Sequence, residues 1–272
     1  MAVRTAAGTV LLALTFIIVF ITPPWVFPLV ISLISAVAVY EVLHSTGFVK
    51  SKRLIAYSVI MALLIPVWAF LDRVPEIAIA GVFIFVFLLF INCLTEPRDS
   101  ALGVICGVFF SATVIPLFLS SLVDLYFLEN GRFFASIPII AAYSSDVFAY
   151  LVGGLFGKRK LCPDISPNKT IAGSIGGLIL TPIILLLFGL VLQQVFNFRV
   201  NYLGLILYGI AGSFAGQIGD LSLSYVKRHF KIKDFGKIIP GHGGVLDRFD
   251  SMLFVAPMVE LMIILFPAIP SI

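Results

Sequence analysis

The chain reads as an all-α polytopic membrane protein of about nine transmembrane helices, and three observations predict this. First, of 272 residues, 60% are hydrophobic and 12% charged, and mean hydropathy is +1.13, far outside the range of soluble globular domains. Second, nine apolar runs each approach the roughly 20 helical residues that cross a ~30 Å hydrocarbon core. Third, of the 18 Lys and Arg residues only Arg73, Arg132 and Arg199 fall in connections after odd-numbered runs. The positive-inside rule then predicts a cytoplasmic N-terminus and cytoplasmic even-numbered connections.

Taken in order, the runs lie near 6–22, 27–44, 54–71, 77–94, 102–123, 133–156, 172–196, 202–225 and 249–269. Arg4 before the first run gives it the look of a signal peptide. Thr22-Pro23-Pro24-Trp25 instead predicts a tight turn into a second span, so the run is expected to be retained. Runs one to five carry few ionisable groups, with Glu41 near a helix end, and residues 1–132 are expected to form a scaffold or lipid platform. Residues 133–272 hold the remaining four runs and two long polar connections, Gly157–Thr170 and Val226–Arg248. The active site is therefore expected among the C-terminal helices, open to the cytoplasm. Cys93, Cys106 and Cys162 show neither CxxC nor metal-ligand spacing, so neither a disulfide framework nor a thiolate metal site is indicated.

Charge is concentrated between Ser224 and Asp250, which hold Lys227, Arg228, Lys231, Lys233, Lys237 and Arg248 beside Asp234, Asp247 and Asp250. Asp220 lies one helical turn before Ser224, and Asp247 three residues before Asp250, so each pair is expected to share a helix face. Acids at membrane depth are costly and normally face a bundle interior or a watery cavity. Asp220, Asp247 and Asp250 together suit a divalent metal that handles phosphates, because Mg2+ takes a few hard oxygens while nearby cations balance the remaining charge. Salt bridging to Lys227 and Arg248 is the plainer reading of the same acids. Asp146, in the sixth run, has Ser144, Ser145 and Tyr150 as polar neighbours and is a further site candidate. Glu260, without such company, reads as structural.

Two connections carry the remaining candidates. Gly241 to Gly244 offers permissive backbone around His242, with the N–H groups of Gly243 and Gly244 as candidate phosphate contacts. Lys227 and Arg228 stand where the eighth run meets the headgroups; anchoring alone explains such a pair, and phosphate binding is compatible with it. Ser166, Asn168, Lys169 and Thr170 precede the seventh run. Asn168 or Thr170 is expected to cap it, leaving helix N–H groups and Lys169 toward an anion.

The segment Ser224-Tyr-Val-Lys227-Arg228, Lys233-Asp234-Phe-Gly236 and Ile239-Pro240-Gly-His242-Gly243-Gly244-Val-Leu-Asp247-Arg248-Phe-Asp250 resembles the full signature of the phosphatidate cytidylyltransferases, the CDP-diacylglycerol synthases. Asp146-Val-Phe-Ala149-Tyr150, Gly157-Lys158 and Ser166-Pro167-Asn168-Lys169-Thr170 are similar to that family's other motif. Where the family commonly reads Lys-Thr-Trp-Glu-Gly, this chain has Lys169-Thr170-Ile171-Ala172-Gly173. The resemblance is clear in the C-terminal half, and the first five runs match in hydropathy only. It implies transfer of the cytidylyl group of CTP to phosphatidic acid, giving CDP-diacylglycerol and pyrophosphate, with Mg2+ and a second cation as an alternative stoichiometry. Asp220, Asp247 and Asp250 would then hold metal. Lys169, Lys227, Arg228 and Arg248 would neutralise pyrophosphate and the lipid headgroup, Asp146 would complete the cavity, and Ser224 and His242 would contact substrate. The expected partners are CTP, phosphatidic acid and membrane lipids of the inner membrane, with no nucleic acid; a homodimer is compatible with the sequence. The rival readings are a CTP-dependent lipid-alcohol kinase of the polyprenol type and an ion-coupled transporter, although the chain lacks the inverted repeats of the latter.

Overall fold

A computed structural model of the chain describes residues 10, 12–71, 75–95, 102–239 and 243–268. These are helical almost throughout. The elements are α1 (Leu12–Ile21), α2 (Val26–Ser45), α3 (Lys52–Leu71), α4 (Pro75–Thr95), α5 (Leu102–Tyr126), α6 (Gly131–Phe156), β1 (Lys160–Cys162), β2 (Ser166–Thr170), α7 (Ile171–Phe196), α8 (Tyr202–His229), α9 (Leu246–Phe249) and α10 (Met252–Leu265). Seven of them, α2 to α8, are long and apolar enough to cross a membrane, so the polytopic membrane architecture holds. The expected count of nine is not reached among the described residues. The first run shows only the short apolar helix α1, and the last is broken into α9 and the 14-residue α10, which falls short of a full bilayer crossing. Arg4, Arg73 and Arg98, part of the charge count, lie outside the described residues.

The chain forms two compact units. The first takes residues 1–124 and 230–249, so the polar segment after α8 packs with the N-terminal helices. In it α2 packs on α1, α3 and α9, and α3 on α4. Ala38, Val39, Leu54, Ala62, Val108 and Leu119 are fully buried. Outward, α4 presents Ile79, Phe83, Phe87 and Leu94, an apolar face suited to lipid rather than water.

The second unit takes residues 125–229 and 250–272. In it α6, α7, α8 and α10 pack on one another, with Leu185, Leu205, Val255, Ala256 and Val259 fully enclosed. Pro182 inside α7 faces Gly209 of α8, where an added Cβ would lie 2.5 Å from the proline Cα. The missing side chain lets the two helices close on the proline turn. Tyr208 of α8 closes the C-terminal end: its hydroxyl donates to the Phe266 carbonyl at 2.5 Å and accepts from the Ala268 N–H at 2.8 Å.

The polar connection after α6 is expected to be loop, yet it folds as an antiparallel hairpin. Lys160 pairs with Thr170 and Cys162 with Ser166, with an irregularity between them. Ser-Pro-Asn-Lys-Thr lacks the alternating branched residues that mark a strand in sequence. Its pairing comes from the neighbouring strand and from α6 and α7, against which β2 packs.

Candidate functional site

Thr170 ends β2 and begins α7. Its backbone is extended and its hydroxyl accepts the Gly173 N–H at 3.1 Å, so of the two expected caps it is Thr170 that serves. Capping fixes the last residues of β2 against the start of α7 and thereby aims Lys169. The Lys169 ammonium lies 2.6 Å from Asp220 Oδ2, and both side chains are about a quarter exposed. The other oxygen of Asp220 accepts the Ser224 hydroxyl at 3.2 Å, the shared helix face expected from their spacing. Ser166 is half-buried and Asn168 exposed on the same strand.

One turn beyond Ser224, Lys227 is buried at 7% exposure and stands 3.9 Å from Asp250 Oδ2. Asp250 lies within electrostatic range of Asp220, Lys227 and Asp146. Asp146, on α6, accepts the Ser251 hydroxyl at 3.2–3.3 Å. Its expected company does not gather: Ser145 pairs with Ser213 at 2.7 Å, Ser144 bonds back to its own helix, and Tyr150 is 79% exposed. Helix geometry explains the two serines, since residues one or two apart point to different faces, whereas Tyr150, four residues on, is on the same face but exposed. Arg228 is directed to the hairpin, its Nε donating to the Ile165 carbonyl at 3.3 Å.

The second unit thus collects Asp146, Asp220 and Asp250 with Lys169 and Lys227. All the donors are hard carboxylate oxygens, the set Mg2+ selects. Among the described residues, no three His, Cys, Asp or Glu groups stand at metal-coordinating separations, and Lys169 holds one oxygen of Asp220. The chemistry of the donor set fits a hard divalent ion, which would take the place of lysine on these oxygens.

Beside this cluster, buried Ser213 of α8 and Gln217 one turn on form a polar layer. The Gln217 amide donates to the Ser174 carbonyl at 3.1 Å and to the Ser213 hydroxyl at 3.3 Å, and its oxygen accepts the Ser174 hydroxyl. Sequence reasoning missed this layer, because two neutral polar residues in a small-residue run give no periodic signal. It ties α7 to α8 just behind Lys169 and Asp220.

Asp247 and Arg248 belong to the first unit. Asp247 lies in α9, and Asp250 sits in the turn between α9 and α10. Asp247 is 5% exposed. Its Oδ2 accepts the N–H groups of Phe235 at 2.8 Å and Gly244 at 2.9 Å, so the Gly244 N–H, a candidate phosphate contact, is bonded within the protein. Gly243 takes a left-handed backbone at φ +88°, and an added Cβ would come 2.9 Å from Asp247 Oδ2. Only glycine adopts that turn without strain. Arg248 is exposed on α9, and His242 lies outside the described residues.

Glu41, read in the sequence as scaffold, proves to be part of this segment. At 2% exposure it accepts the N–H groups of Val245 and Leu246, both at 2.9 Å. No local pattern announces it, since its partners lie about two hundred residues away.

Compared with known proteins, residues 2–266 match the family described as the cytidylyltransferase family. A phosphatidate cytidylyltransferase of Bacillus subtilis (strain 168) is 33% identical over 269 residues, spanning 94% of this chain and 96% of the relative. A protein of the same name from Staphylococcus haemolyticus (strain JCSC1435) is 45% identical over 139 residues, about half of each chain. Another, from Staphylococcus epidermidis (strain ATCC 12228 / FDA PCI 1200), is 43% identical over 143 residues, 52% of this chain and 54% of the relative.

Proposed function

The chain belongs to the cytidylyltransferase family, and on that premise we propose that it transfers the cytidylyl group of CTP to phosphatidic acid, releasing CDP-diacylglycerol and pyrophosphate. The observation that carries this reading is the carboxylate and lysine cluster of Asp146, Lys169, Asp220, Lys227 and Asp250, within a chain matched almost end to end by the family. In the reaction an oxygen of the lipid phosphate attacks the α-phosphorus of CTP. The bond from that phosphorus to the oxygen bridging the β-phosphorus breaks, and pyrophosphate leaves with the electron pair. A phosphate oxygen is already ionised at neutral pH, so no general base is needed. The protein's work is positioning and charge neutralisation.

Asp220 and Asp250 would hold Mg2+, with Asp247 the third acid expected from the sequence. When bound, the ion supplies Lewis-acid polarisation of the nucleotide phosphates and shields them from the attacking anion. Lys169, released from Asp220, turns its ammonium to the departing pyrophosphate. Lys227 and Arg228 meet the lipid phosphate at the membrane edge, and Arg248 adds a bidentate donor. Ser224 orients Asp220 through its hydroxyl. Ser166, Asn168 and Thr170 set the hairpin edge from which the nucleotide phosphates are approached, Gly243 and Gly244 shape the turn before α9, and Asp146 with Ser251 lines the polar floor.

In this reading α1 and α10, with their flanking residues, complete nine membrane segments, and the N-terminus and both polar connections face the cytoplasm of the cell membrane, where CTP is found. Fifteen of the 18 basic residues lie in the N-terminal tail or even-numbered connections, against three in odd-numbered ones, which supports that orientation. Acyl chains stay in the bilayer. CTP carrying label at the α or at the γ phosphorus tests the reaction. Cytidylyl transfer sends the α label to lipid and the γ label to pyrophosphate, whereas γ label in the lipid would make the chain a CTP-dependent kinase and refute the reading.

A further inference from the structure

We infer that Glu41 of α2 is a positioning residue for the reaction: it sets the place of α9, and with it Asp247 and Arg248. The inference rests on the reading above, in which those two residues serve the site. Both oxygens of the Glu41 carboxylate are engaged, Oε1 by the Val245 N–H and Oε2 by the Leu246 N–H, each at 2.9 Å. These donors lie at the start of α9, immediately before Asp247. A carboxylate on a buried residue of a largely apolar helix is costly unless its oxygens are bonded, and here both oxygens bond to this one segment.

The surrounding contacts converge on the same segment. Ser45, one turn after Glu41 on α2, donates its hydroxyl to the Phe235 carbonyl. The N–H of that same Phe235 goes to Asp247 Oδ2. Phe235 is fully buried, so α2, Phe235 and Asp247 form one continuous set of bonds. Two glycines of the signature stretch are accounted for by the same acid. A Cβ at Gly236 would come 2.2 Å from a Glu41 oxygen, and one at Gly244 would come 2.5 Å from both. They are small because Glu41 occupies the space beside them. An acid in the otherwise apolar second helix thus reaches across the sequence to fix a polar segment that its own helix does not contain.

Glu41→Gln in the full-length, membrane-embedded chain tests this. Glutamine keeps one acceptor and turns an amide donor toward the second N–H. The expected result is a fall in kcat of about 10–100-fold, the range seen when an outer partner of a metal ligand is lost, with KM for CTP and for phosphatidic acid unchanged. Glu41→Asp, which keeps two acceptor oxygens, recovers part of the loss. Hydrogen exchange without substrate or metal gives a second readout: the Val245 and Leu246 amides exchange faster in Glu41→Gln, while those of α6, α7 and α8 keep their rates. A wild-type kcat overturns the inference, as does a raised KM at constant kcat. Faster exchange throughout α6 to α8, with no recovery in Glu41→Asp, overturns it in favour of a general folding role. Asp247→Asn in the same assay separates the inference from its premise. Activity retained there removes Asp247 from the site and takes the inference with it, whereas an inactive Asp247→Asn beside a fully active Glu41→Gln overturns the inference alone.

Discussion

Asp220 joins a lysine of the hairpin to a serine of its own helix in the second unit. Its two oxygens face different partners, the Lys169 ammonium at 2.6 Å and the Ser224 hydroxyl at 3.2 Å. The ion pair is a quarter exposed on each side, so it is screened and contributes little to stability. In the proposed reaction it would hold an acid and a cation at one place until a ligand separates them. Asp220→Asn keeps the shape and removes the charge. We expect CDP-diacylglycerol formation to fall by at least about 100-fold, with thermal stability in detergent near that of the parent; retained activity would exclude Asp220 from metal binding. The residue scale also shows why pairs of acids had to be judged one by one. Asp220 and Ser224 lie four apart on a continuous helix and meet, whereas Asp247 and Asp250 are separated by the end of α9 and belong to different units.

Among elements, the hairpin β1–β2 does more than connect. It delivers Lys169 to Asp220 and receives Arg228 on the Ile165 carbonyl, and its rigid end is the Thr170 cap on α7. The glycines of α6 and its C-terminal end lie close around that hydroxyl: a Cβ at Gly153 or Gly157 would stand 2.8 or 2.6 Å from Thr170 Oγ1. Thr170→Ala removes the cap acceptor and should cost about 1 kcal/mol, read as a lower thermal unfolding midpoint, whereas Thr170→Ser should restore it. An unchanged midpoint in the alanine variant would show that packing of β2, and not the cap, holds the junction. α9 is the opposite kind of element. Four residues long, it cannot sustain itself and exists through bonds from α2 and Phe235 to its first turn.

For the whole molecule, the charge asymmetry predicts which ends of the helices meet water on each side. In a background lacking Cys93, Cys106 and Cys162, a cysteine at exposed Lys233 should be protected from an impermeant thiol reagent in sealed right-side-out vesicles. One at exposed Arg199 should be labelled. The reverse pattern would invert the topology and place the polar segments away from CTP. Within this frame, the membrane class, seven of the nine expected spans, the Asp220–Ser224 pair and a cap at Asn168 or Thr170 were legible in the sequence, because each follows from a local rule: run length, helical spacing or capping preference. The hairpin, the partner of Asp146, the Ser174–Gln217 layer and the bonds of Glu41 were not. Each depends on which distant segment arrives beside a polar group, and hydropathy constrains only how much of a helix is apolar, never which neighbour it faces. The sequence determined that acids and lysines would collect in a membrane-spanning cytidylyltransferase; tertiary packing alone decided that Lys169 meets Asp220, that Ser251 meets Asp146 and that Glu41 holds α9, because a polar group bonds to whichever partner the fold brings within about 3 Å, and must do so where it is buried, as Glu41 is.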